Sequence, residues 1–198
     1  MQKIYFIIVF SCLSFEALAI SAKDRLTNAL AVSSTLQGRF TQSTPGLKRQ
    51  SGSFKVKRPN KFIWQYDGKD GQKIISTGRQ VWIVEPDLEH AYIVSLRKAL
   101  GKSPALILLN PGSITKEFKL KNAGKSKGLE WVELIPKKKA NAEFEHLYVG
   151  LSSTTIKQIK LIDALSRTTL IKFKGLNFDV PLSNRLFKYS PPSDFDTF

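Results

Sequence analysis

The strongest constraint on this chain is a period of two, broken at short intervals by turn residues. In the run from Ser53 to Lys57, Phe54 and Val56 alternate with Ser53, Lys55 and Lys57. In the run from Lys61 to Tyr66, Phe62, Trp64 and Tyr66 take every second position. Successive side chains of a strand point to opposite faces, so each run collects its apolar residues on one face. Arg58-Pro59-Asn60 separates the two runs. Further strands are expected over 37–42, 72–76, 80–84, 91–96, 116–121, 129–136, 144–151, 155–162, 168–174 and 184–189. Turn residues fall between many of them, at Asp67-Gly68-Lys69-Asp70-Gly71, Thr77-Gly78, Ala123-Gly124-Lys125 and Gly175-Leu176-Asn177. Short strands joined by local turns imply an antiparallel sheet or barrel.

Three segments depart from this period. Leu26, Ala29, Leu30, Ser33 and Leu36 fall at helical spacing, which predicts a helix over 22–36. The stretch from Pro86 to His90 reads as a turn or a single helical turn. A short helix is expected over 103–109, capped by Ser103, with Pro104 at its first position and Asn110-Pro111-Gly112 as its stop. The first residues stand apart. Lys3, an apolar run from Ile4 to Leu13 and Ala17-Leu18-Ala19 form the pattern of a secretory signal peptide. The expected organisation is therefore a signal peptide over 1–19 and a single domain over 20–198. Cys12, the one cysteine, lies inside the leader, so the processed chain has no disulfide. A rival reading makes Cys12 a lipidation site, a signal that Val9-Phe10-Ser11 fits poorly.

The net charge is +15, and Lys3 and Glu16 cancel within the leader. Such a balance points to an acidic partner, anionic headgroups or nucleic acid, and export makes the last the weakest. Residues for catalysis are thin. His90 and His146 are the only histidines, and neither has ligands at metal-site spacing. Gly101-Lys102-Ser103 and Gly124-Lys125-Ser126 resemble the end of a phosphate loop, but Leu96 and Lys119 stand where its first glycine belongs. Lys119, Lys121, Lys157, Lys172 and Lys174 alternate with apolar residues, as on a sheet wet on one face. Lys137-Lys138-Lys139 is denser and suits a loop facing an acidic partner. The aromatics Phe40, Phe54, Phe62, Trp64, Tyr66, Trp82 and Trp131 admit two readings. One is an ordinary filled core. The other is a large apolar sheet face that holds a hydrophobic ligand and is covered by the helices.

Several of these residues together resemble a known family. Phe40-Thr41-Gln42, the run Val56-Lys57-Arg58-Pro59-Asn60 with Phe62 and Trp64, Val81-Trp82 with Pro86 and Glu89-His90-Ala91, and Ser103-Pro104-Ala105-Leu106-Ile107-Leu108 are similar in order to the periplasmic outer-membrane lipoprotein carriers, the LolA family. The resemblance implies a mainly β fold, an incomplete antiparallel β-barrel covered by an α-helical lid. It implies a periplasmic chaperone, not an enzyme, without cofactor or metal. Its partners would be acylated lipoproteins, an inner-membrane ATP-driven transporter that releases them and an outer-membrane receptor, with the carrier a monomer. The resemblance makes Arg58 a lid latch that reaches backbone carbonyls aligned with Leu30, Leu108 and Leu109. It lines the lipid cavity with Phe40, Val56, Phe62, Trp64, Trp82, Leu106, Leu134 and Ile159. Ile159 stands where the family commonly has an aromatic, and Ala105 replaces a larger apolar residue. A membrane-anchored lipoprotein receptor and a lipid esterase are the alternative classes.

Overall fold

A computed structural model describes residues 20–31, 33–95, 99, 108, 111–137, 144–153 and 155–197. The expected signal peptide, and the expected short helix apart from Leu108, lie outside the described residues. Helix α1 (Ala22–Ala31) leads into β1 (Thr35–Ser43), β2 (Gln50–Lys57), β3 (Lys61–Tyr66), β4 (Lys73–Thr77), β5 (Val81–Glu85) and β6 (His90–Val94). After α2 (Pro111–Glu117) come β7 (Phe118–Ser126), β8 (Leu129–Pro136), β9 (Phe144–Ser152), β10 (Thr155–Asp163), β11 (Thr168–Phe178) and the two-residue β12 (Asp196–Thr197).

The alternation read from the sequence becomes the register of the sheet. Phe54 pairs with Trp64 and Val56 with Phe62, so these four side chains share one face. The strand order is β12-β6-β5-β4-β3-β2-β1-β11-β10-β9-β8-β7. Two meanders, β1 to β6 and β7 to β11, are joined through β1 and β11. Among the described residues no pairing links β7 to β12, so the barrel stays open. All pairs are antiparallel except β12 with β6. One apolar cluster fills the inner face, from Val81 and Ile83 across Trp64 and Phe40 to Val149 and Leu134. Gly52 permits its closest approach. A Cβ there would lie 2.1 Å from the Gln65 carbonyl oxygen and 2.5 Å from the Phe40 ring.

Helix α1 lies against β7, β8, β9 and β10 and against α2. It buries Leu26 and Leu30 in the main cluster and keeps Lys23, Asp24, Thr27 and Asn28 exposed. It ends at Ala31 rather than at 36. Leu36 instead starts the inner face of β1, opposite Val56. The helix expected to stop at Asn110-Pro111-Gly112 lies outside the described residues apart from Leu108, and Pro111 opens α2, where a missing N–H costs nothing.

Two expected turns lie inside strands. Gly124 (φ +79°) sits at a register shift within β7, and the reversal comes later, at Lys127-Gly128. Gly175 (φ +57°) lies in β11, opposite a register shift between Gln37 and Arg39, and the strand runs on to Phe178. Finally, 184–189 is not a strand. Asn184–Phe187 is a 3-10 turn, capped by the Ser183 side chain accepting from the Arg185 N–H. It packs on β3 and β4. Phe195 and Tyr189, from the same C-terminal segment, join a second apolar cluster with Ile75, Val84, Ala91, Ile63 and Trp82.

Candidate functional site

The inner face is aromatic where β1, β2 and β3 adjoin. Phe40 and Trp64 stack at 3.6 Å between ring centroids. The rings of Phe62 and Phe54 lie 6.0 Å and 5.7 Å from that of Trp64. Phe40, Val56, Phe62, Trp64, Leu134 and Ile159 are all withdrawn from solvent. These six expected cavity residues therefore lie in one cluster. Leu106 lies outside the described residues. Trp82 is corrected: it lies on the opposite face of the sheet, in the second cluster, with its ring edge-on to Tyr189 at 5.5 Å.

Arg58 stands at the end of β2, where the chain turns into β3, and is half-buried. Its Nε–H donates to the Leu108 carbonyl at 3.2 Å. Its Nη1–H donates to the Ser33 carbonyl. Its backbone N–H donates to the Ser34 carbonyl at 2.8 Å. One guanidinium thus ties the segment after α1 to the Leu108 carbonyl. Leu30, expected as an acceptor, instead lines with Arg58, Leu108, Leu36, Ile156 and Phe173 a small apolar cavity of about 10 Å³. That volume is about enough for one water. Leu109 lies outside the described residues.

Burial lowers the Arg58 pKa from its ordinary value, and the Asp179 carboxylate opposes that shift. A guanidinium starts so high that it remains charged. Asp179 belongs to the same knot. Its Oδ1 accepts from the Ser33 hydroxyl at 3.0 Å, and its N–H donates to the Thr35 carbonyl at 2.9 Å. Sequence reasoning missed both residues. Ser33 read as a polar position of a longer helix, and Asp179 is separated from it by 146 residues.

The other polar candidates lie elsewhere. Lys119, Lys121, Lys157, Lys172 and Lys174 are exposed on the outer surface. Lys137 Nζ donates to the Thr115 carbonyl at 2.7 Å, and Lys138 and Lys139 lie outside the described residues. His146 Nδ1 is 2.7 Å from Glu133 Oε1, and His90 is 3.8 Å from Asp196. Trp131 faces outward beneath Lys160, whose Nζ is 5.7 Å from its ring centroid.

An open sheet curled round an aromatic interior, with α1 laid over it and one arginine bonded to the carbonyls of Ser33 and Leu108, is the architecture the comparisons place in a family. The chain belongs to the outer membrane lipoprotein carrier protein LolA family, whose model matches residues 31–190. It is 33% identical over 193 residues to an outer-membrane lipoprotein carrier protein of Methylococcus capsulatus, covering 94% of this chain and 92% of that one. A carrier protein of the same description from Dechloromonas aromatica is 32% identical, over 98% of this chain and 95% of its own. In fold alone, the chain is similar to an uncharacterized conserved protein from Thermus thermophilus, with a TM-score of 0.56 at 11% identity over 89% of this chain and 95% of that one.

Proposed function

We propose that this protein is a periplasmic chaperone that carries the acyl chains of outer-membrane lipoproteins on the inner face of its sheet. It accepts them from an ATP-driven transporter of the inner membrane, crosses as a monomer and passes them to a receptor at the outer membrane. Residues 1–19 direct its export and are removed. The family membership supports a carrier that performs no catalysis itself.

The observation that carries the reading is the Arg58 latch over an apolar wall. Burying one acyl CH₂ is worth about 0.8 kcal/mol, so long chains prefer any dry site to water. A carrier must also let go. Here the covering elements bury Leu26, Leu30 and Leu108 against the same wall, and Arg58 holds their backbone. Opening costs those contacts and offsets part of the lipid's gain, which keeps uptake reversible. The latch residues are Arg58, Leu108 and Ser33, and the cavity residues are Phe40, Val56, Phe62, Trp64, Leu134 and Ile159.

Phe62→Glu tests this. A carboxylate among these rings is expensive to bury and repels an acyl chain. The variant is expected to lose release of lipoproteins from inner-membrane vesicles that contain the transporter, while Phe62→Leu retains it. Undiminished release by a folded Phe62→Glu protein would overturn the assignment.

A further inference from the structure

The outer surface carries a pocket that shares no residue with the inner-face cluster. A pocket of about 600 Å³ opens where β3 begins, β4 ends and the C-terminal segment crosses the sheet. Lys61 and Lys188 line it, with the hydroxyl residues Thr77 and Ser190 and the amide of Asn184. No carboxylate is among its lining residues. Lys61 Nζ donates to Asn184 Oδ1 at 3.0 Å, one of the three donors of an ammonium. Tyr189, also in the lining, has its hydroxyl shut off from solvent, with no hydrogen-bond partner among the described residues. Lys57, paired in register with Lys61, adds a third positive charge and donates to the Leu182 carbonyl at 2.6 Å.

We propose that this pocket binds a phosphate group. The two ammonium groups, the Ser190 hydroxyl and the Asn184 amide N–H donors suit an anion with several oxygens, while the Thr77 hydroxyl donates to the Gln80 carbonyl at 3.4 Å, and lysine serves such an anion as a point charge. The volume exceeds what a lone carboxylate needs, and the Phe187 ring gives the space an apolar wall. The phosphate belongs either to a lipid headgroup or to a soluble compound.

Amide spectra of the full chain, titrated at low salt with inorganic phosphate, test the site. Saturable shifts are expected at residues 61, 77 and 184–190. Lys61→Gln and Lys188→Gln are each expected to weaken binding about three- to fivefold, as for an exposed charge pair. Lys172→Gln, on the exposed face of β11, should leave it unchanged. Lys188 is exposed, so its substitution leaves the core intact, and thermal unfolding of each variant verifies this. Flotation with phosphatidylglycerol vesicles against neutral phosphatidylcholine vesicles separates the sources. Retention on the former that depends on Lys188 assigns a headgroup, whereas phosphate binding without retention assigns a soluble compound. Absence of saturable shifts, or equal weakening by Lys172→Gln, would overturn the proposal whatever the fate of the inner-face cavity.

Discussion

At the scale of the residue, the proposed carrier closes through Arg58. Its two donors reach main-chain oxygens, so the cover is held whatever side chains it carries. Charge-assisted bonds are worth about 1.5–3 kcal/mol each, and partial exposure reduces that here. A net loss of about 2 kcal/mol on Arg58→Leu shifts the closed–open balance roughly thirtyfold. The variant is expected to keep its lipoprotein and to deliver it poorly in a reconstituted transfer assay, and unchanged delivery would contradict the latch. The Arg58-Pro59-Asn60 run was visible in the sequence because it interrupts two alternating strands. Ser33 and Asp179 were not, because a hydrogen bond between residues so distant in sequence leaves no local pattern. Trp82 was assigned to the wrong face for another reason. Val81-Trp82-Ile83-Val84 is apolar throughout, since the C-terminal segment covers the outer side of β5, and a run buried on both faces loses the alternation that tells them apart.

At the scale of the element, α1 is bound to the sheet by a few polar ties as well as by its leucines. Arg25 Nη1 lies 2.8 Å from Glu130 Oε2 on β8, and the Lys23 N–H donates to Asn122 Oδ1 at 3.3 Å on β7. Glu130 is held below the usual carboxylate range, first by the hydrogen bond from Lys125, with Arg25 and Lys125 adding charge and desolvation opposing them. The sign follows. A carboxylate whose pKa is depressed in the folded state stabilises that state above its unfolded value of about 4.3, and the gain is lost as pH falls through the folded value. Hydrogen exchange of the α1 amides, corrected for intrinsic rates, is therefore expected to accelerate below about pH 4. In Glu130→Gln it should be faster at neutral pH and flat across the range. An unaltered pH profile in that variant would refute the tie. The strands were the legible elements, because period two survives wherever one face is wet. Gly124 and Gly175 misled because a glycine at positive φ serves a bulge as well as a turn. The 184–189 run misled because it lies across the sheet instead of within it.

At the scale of the whole molecule, two meanders meet at β1 and β11, and the barrel stays open between β7 and β12. Alternation revealed the strands but not this order, because pairing between β1 and β11 is set by the whole chain and not by any turn. Helix α1 and Leu108 lie over the inner-face cluster. In the proposed carrier, entry of acyl chains therefore requires that α1 move away from the sheet. The only cysteine is Cys12, so Asn28→Cys on the exposed side of α1 and Lys157→Cys on β10 take a pair of spin labels without competition once residues 1–19 are removed. The most direct measurement is the distance between those labels, by pulsed electron resonance, in the free protein and in its complex with a triacylated lipoprotein. A single short distance that lengthens on loading is predicted. An identical distance in both states would contradict the account.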